Sequence, residues 1–191
     1  YQRNLYRRVL NADQLISVLS DRLNVVGVHR SAHSNITHGA KQTTSHKRAW
    51  ELTLLTHGEV TSPCQLIDIM RTTTVFVTPH GFQSILLLFL PRVSVVVELF
   101  PHWFRKPFVY GSVLASIRNA GYHSKYYLYH ESVPTSTQIS LFANLALVGR
   151  TKDNEKCIKN LFCRYLAKQQ DIVISIPFMN KLTDYLTYIF P

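Results

Sequence analysis

Residues 74–101 read TVFVTPHGFQSILLLFLPRVSVVVELFP. Thr74 to Thr78 alternates β-branched and aromatic residues and reads as a short buried strand. Pro79 ends it, and His80-Gly81 makes a turn. Phe82 to Leu90 is apolar and reads as a short helix, broken by Pro91-Arg92. Val93 to Leu99 is a second β-branched strand carrying a lone carboxylate, Glu98. Strand, glycine turn, helix and strand make the βαβ unit of a parallel sheet. Ligands of such sheets bind beyond the carboxyl ends of the strands. His80 and Glu98 both fall at such ends, so one unit brings two polar groups to one rim.

The chain on either side alternates in the same way. Asn11 is placed to cap a helix over Ala12–Leu23, whose Leu15, Ile16, Val18, Leu19 and Leu23 share one face. Val25–Val28 reads as a strand and Pro63–Met70 as a second helix. Downstream, Pro101–Pro107 is an aromatic, basic loop, and Tyr110–Ala120 a helix with Gly121 as its C-cap. Lys125–His130 is a strand, Pro134–Thr137 a turn and Gln138–Val148 a helix. A charged linker, Arg150–Lys156, leads to a helix over Asn160–Lys168. A strand at Ile172–Ile176 and an amphipathic helix at Phe178–Phe190 close the chain. The expected architecture is α/β, a doubly wound, mostly parallel sheet in one domain over 1–191.

Residues 30–59 break the pattern. They hold His33, His38, His46, His57, Lys41, Lys47 and Arg48 among Ser and Thr, with apolar density only at Trp50–Leu55. The segment reads as a surface insertion, since loops this long without structure are uncommon inside compact domains. His29, His33 and His38 lack nearby Cys or acidic partners and no HExxH occurs, so a solvated loop is expected rather than a metal site. Asn35-Ile36-Thr37 is a glycosylation acceptor sequence if the protein is secretory.

The 191 residues carry 21 Lys and Arg against 11 Asp and Glu, a net charge of +10. That balance favours polyanions, membrane surfaces or phosphorylated ligands without choosing among them. No RNP-like strand, CxxC finger or basic helix with interleaved aromatics occurs, so no nucleic-acid partner is expected. Pro91, Arg92 and Glu98 interrupt the most apolar run, which is too short to span a bilayer. Three cysteines are too few for a disulfide framework. Cys157 and Cys163 could pair, but buried thiols are the expectation. The chain opens on Tyr1 with no signal peptide, as a fragment would.

The central stretch resembles the signature of glycosyltransferase family 61: a strand into a His-Gly turn, a helix ending Leu-Phe-Leu-Pro, a strand ending Glu-Leu-Phe-Pro. The opening, with Arg3 and Arg7-Arg8-Val9-Leu10-Asn11, and the tail, Asp171 to Pro177, are similar too. The resemblance implies the Rossmann-like C-terminal, donor-binding half of a GT-B transferase, with the N-terminal acceptor domain absent. It implies a UDP-sugar donor, UDP-N-acetylglucosamine foremost, with xylose the competing sugar, and inversion at the anomeric carbon. It implies a protein-linked glycan acceptor such as O-mannose. The location implied is the endoplasmic reticulum or Golgi lumen, with any membrane anchor outside this chain. Two features depart from the pattern. Phe82 stands where the family has a small residue, and the 30–59 insertion is foreign to it.

Transfer from a nucleotide sugar requires a neutralised diphosphate, an oriented sugar and a deprotonated acceptor hydroxyl. The chain has no Asp-x-Asp pair, so a metal-independent site without cofactor is expected. Positive groups and helix N-termini then hold the phosphates. The resemblance puts Arg3 and Arg7 beside the donor. Gly81 and Gln83 open the helix, where their N–H groups can face an anion beside Phe82. His80 can donate to a phosphate or sugar oxygen. Glu98 can accept from ribose hydroxyls or pair with Arg92 or Arg105. No acceptor base is identified. Two other classes fit the sequence: a degenerate, non-catalytic transferase-like module, and a basic polyanion binder using the 30–59 segment.

Overall fold

The computed structural model describes residues 8–31, 49–55, 62–80, 82–104, 125–136, 138–140, 157 and 159–191. It is a mixed α/β structure with parallel strands in two small sheets. Helix α1 (Ala12–Arg22) leads into β1 (Val25–Ser31), which pairs in parallel with β2 (Trp50–Leu55). Helix α2 (Pro63–Thr72) precedes β3 (Val75–Pro79), a 3-10 helix (Phe82–Phe89) and β4 (Ser94–Phe100). Then come β5 (Lys125–Glu131), α3 (Leu161–Lys168) and α4 (Ile176–Ile189). The second sheet has the order β3-β4-β5, all parallel.

Strand β4 is the axis of this sheet, and all seven of its residues are buried. It lies between two strands and both its faces are covered, which is why it reads as a continuous apolar run. Period-two alternation sends Val95, Val97 and Leu99 toward α1 and α4, where they join Leu15, Leu19, Leu182 and Leu186. Val96 faces the opposite side, with Phe76, Met70, Leu86 and Leu87. Helices thus cover both faces. Arg22 fastens α1 to α4: its guanidinium donates to the Thr183 hydroxyl at 3.0 Å and to the Asp184 carboxylate.

The crossover between β3 and β4 is a 3-10 helix rather than the α-helix its apolar run suggests. Eight residues wound this way span about 16 Å, against about 12 Å for an α-helix. The longer span matches the return along a strand to the start of β4. Leu86 and Leu87 within it and Leu90 just after it are buried in one cluster with Met70 of α2.

Three further expectations are corrected. Trp50–Leu55, assigned from sequence to a surface insertion, forms β2, and β1 runs on to Ser31. The stretch 172–176 is not a sheet strand. Ile172 makes one parallel bridge to Val9. The next three amides are then taken by side chains: Val173 N–H by Ser132 Oγ, Ile174 N–H by Asn11 Oδ1 and Ser175 N–H by His130 Nε2. A backbone so engaged has no donors left for a ladder. Cys157 and Cys163 are joined in a disulfide, not held as free thiols. Asn160 N–H bonds Cys157 O at 3.1 Å, and the Asn160 side chain caps α3 at Phe162 and Cys163. This folds the intervening turn tightly enough to bring the two sulfurs together. The expected helix at 110–120, the linker at 150–156 and most of the helix at 138–148 lie outside the described residues.

Candidate functional site

The face of β4 that carries Val96 also carries Ser94, Glu98 and Phe100. Register fixes the neighbours of Glu98: Thr78 of β3 on one side and Tyr129 of β5 on the other. Tyr127, level with Val96, is one step diagonal on the same face. His80 follows β3 and extends its ladder by one bond, from its N–H to Leu99 O at 2.7 Å. That bond turns its imidazole back over Glu98.

The result is a chain of three polar side chains, buried at His80 and Glu98 and half-buried at Tyr127. His80 Nδ1 meets Glu98 Oε1, and the Tyr127 hydroxyl donates to Glu98 Oε2. Glu98 is 0% exposed and the His80 side chain 11% exposed. A buried carboxylate is tolerated only when its oxygens are bonded, and here two donors do so. Its partners among the described residues are His80 and Tyr127 and not Arg92, while Arg105 lies outside the described residues. Phe100 stacks against the His80 ring at 4.8 Å, and Phe104 leans on it at 5.5 Å. The imidazole is thus held on one side by the Glu98 carboxyl group and on others by aromatic planes.

The rim continues past β4 as a tight turn, Pro101 to Phe104. Trp103 has φ 60°, the left-handed region that bulky residues avoid. Its N–H donates to Glu131 Oε1 at 3.0 Å, which holds the turn against the end of β5. Burial lowers the pKa of the adjacent His102, against the smaller opposite pull of Glu131 and of the Ser132 backbone. Beneath the turn, Phe104 packs on Cys157, Cys163 and Ala167, with Trp103 and Leu166 alongside.

At the end of β5 the rim is closed by the two outer stretches of the chain. Leu10 N–H bonds Ile172 O at 2.9 Å, and Ile172 N–H returns a bond to Arg8 O at 2.8 Å. Asn11 grips Ile174 twice, donating to its carbonyl at 2.8 Å and accepting from its N–H at 2.9 Å. Asn11 so occupies the cap position of α1 without capping it. Arg8 makes a paired contact with Asp171, 2.8 Å at its shortest.

His130 sits among these contacts, stacked on Phe178 at 4.4 Å. Burial lowers its pKa, against a smaller opposite effect of its bond to the Val173 backbone. The unfolded chain therefore binds this proton more readily. Its contribution to stability is complete above the ordinary histidine value of about 6.5 and is lost as pH falls toward the lower folded value. His102 acts with the same sign. Urea midpoints should drop between pH 7.5 and pH 5.5, and His130→Asn should flatten that drop. An equally steep drop in the variant would assign it to other groups.

Of the residues singled out from sequence, His80 and Glu98 are brought into contact. Phe82 and Gln83 open the 3-10 helix that follows His80. Arg3, Arg7, Gly81 and Asn35 lie outside the described residues. Sequence reasoning missed Tyr127, Phe104, Trp103 and Glu131. The alternation in KYYLYHE carried part of the signal, because it puts Tyr127, Tyr129 and Glu131 on one face. Among the described residues, no group of three or more His, Cys, Asp or Glu is placed to hold a metal ion. No described helix is long and apolar enough to cross a membrane. The chain matches no family model and no curated protein at a significant level.

Proposed function

We propose that this chain is the Rossmann-like, donor-binding half of an inverting GT-B glycosyltransferase of family 61. Its donor is a UDP-sugar, UDP-N-acetylglucosamine foremost. Its acceptor is a protein-linked glycan such as O-mannose, in the lumen of the endoplasmic reticulum or Golgi. One observation carries the reading most: His80 and Glu98 meet at the carboxyl ends of two adjacent parallel strands, where nucleotide ligands of open α/β sheets bind. The signature stretch around them adds to it. The Cys157–Cys163 bridge suits an oxidising compartment.

Arg3 and Arg7 are assigned to the diphosphate, and the turn at Gly81 to close backbone approach by the donor. Without an Asp-x-Asp pair, charge on these groups takes the place of a divalent ion. Calorimetric titration of UDP and UDP-N-acetylglucosamine into the 191-residue chain tests the reading. Binding is expected with and without EDTA, weakened about tenfold by His80→Ala, the worth of one hydrogen bond. Absence of binding by the folded chain would overturn the proposal. Loss on chelation would remove its metal-free part.

A further inference from the structure

We infer that His130 is a proton-operated latch on the closing stretch of the chain: as the neutral ring it seats Ser175 and the first turn of α4 on the end of β5, and as the cation it releases them while the sheet stays paired. The protonation state follows from the partner. Ser175 N–H bonds His130 Nε2 at 3.2 Å. A backbone N–H can only donate, so Nε2 holds a lone pair and the hydrogen of the ring is on Nδ1. The ring also stacks on Phe178, in the first turn of α4.

Two effects turn a proton into a release. Hydrogen on Nε2 takes up the lone pair, and two donors then face each other across the contact. Ser175 is also the N-cap of α4, its Oγ accepting from Phe178 N–H at 3.3 Å. The positive end of that helix therefore adjoins the ring, and a cation there is repelled. A free carboxylate beside the ring would offset both effects. On β5, Glu131 lies on the opposite face, where it accepts from Trp103 N–H and stands beside His102. On β4, Glu98 is engaged by His80 and Tyr127. In the outer stretches Asp171 is paired with Arg8, and on α1 Asp13 is exposed. On α4, Asp184 is paired with Arg22, Lys181 is exposed and Tyr185 lies against Tyr126. Burial, rather than any of these charges, is the main cause of the lowered His130 pKa.

The release is local, because the neighbouring amides are held by groups that do not titrate. Val173 N–H bonds Ser132 Oγ and Ile174 N–H bonds Asn11 Oδ1. Further along α4, Leu182 and Leu186 are buried with Leu15, Leu19 and Val97. Acid therefore opens Ser175 and the start of α4 ahead of the unfolding of the whole chain. The latch is independent of what binds at the rim.

The test is amide exchange of the full chain, followed residue by residue by NMR while the His130 ring titrates. Exchange is expressed as protection, so that the direct effect of pH on the exchange chemistry cancels. At pH 7.5 a two-bond proton–nitrogen spectrum, with His130→Gln identifying the His130 signals, should show Nε2 bare. Hydrogen on that nitrogen overturns the inference. Through the titration, expected below the ordinary value of about 6.5, Ser175 protection should fall roughly threefold to tenfold, the worth of one hydrogen bond. Val173 and Ile174 should fall less, and Val96 and Val97 should hold. In His130→Gln the side-chain oxygen accepts at any pH, so Ser175 protection should stay level. Unchanged Ser175 protection in the wild type, an equal fall at Val96, or the same fall in His130→Gln overturns the latch. If His130→Gln fails to fold, the wild-type series decides by itself, because the latch requires Ser175 to follow the ring titration while Val96 does not.

Discussion

Replacing Glu98 with alanine should lower the free energy of unfolding by about 3–5 kcal/mol. Two terms produce it. The His80 ring and the half-buried Tyr127 hydroxyl each lose a hydrogen bond to their shared acceptor, at about 0.5–1.5 kcal/mol each. A void is also left in the middle of β4, where neighbours on both strands are fixed by register. The loss is large against a total of about 5–15 kcal/mol for a typical domain. Glu98→Gln keeps the volume and one acceptor, so it should cost only about 1–2 kcal/mol. Urea unfolding followed by tryptophan fluorescence separates the two variants. If Glu98→Ala cost less than about 1 kcal/mol, water would be satisfying both groups, and the pair would not belong to the core.

Breaking the Cys157–Cys163 bridge should cost about 2 kcal/mol. The two cysteines are six apart in sequence, and closing so short a loop removes only modest entropy from the unfolded chain. For a chain of this size the melting temperature should fall by about 4–8 °C. The double substitution Cys157→Ser with Cys163→Ser is the cleaner experiment, because both sulfurs are buried and reductant reaches them slowly. Equal melting temperatures for the variant and the oxidised protein would show that the bridge adds nothing beyond packing. The position of the bridge matters as much as its strength. It supports Phe104, and Phe104 leans on His80. If the proposed donor site is correct, the variant should bind UDP at the rim more weakly even at temperatures where it stays folded.

The βαβ unit was legible in the sequence because each of its parts has a local cause. The β-branched runs and the proline stops act within a few residues. The elements at the ends of the chain were legible in kind for the same reason. What was not legible depends on distant partners. Ile172 to Ser175 has the composition of a strand, yet Ser132, Asn11 and His130 take its amides. Trp50–Leu55 looked like a minor apolar island, because its pairing with β1 is set by register across an intervening stretch. Glu98 was legible as a rim residue, whereas its link to Tyr127 required knowing that β5 lies beside β4. One local signal was simply overlooked. Thr135 and Gln138 exchange bonds, Thr135 N–H to Gln138 Oε1 at 2.8 Å and Gln138 N–H to Thr135 Oγ1 at 3.3 Å. That is a capping box, and its Thr-x-x-Gln spacing stands in the sequence. It places the start of that helix two or three residues earlier than Gln138.

The grip of Asn11 on Ile174 also sets a schedule for the nascent protein. The two residues are 163 positions apart. On a ribosome, α1 emerges well before α4, whose apolar face covers it. Translation at about 5–20 residues per second leaves Leu15 and Leu19 without their helix partner for roughly ten to thirty seconds. The β3–β4 pair can close sooner, since both strands and their crossover lie within one short stretch of chain. Until α4 arrives, α1 is a segment that a chaperone is well placed to hold.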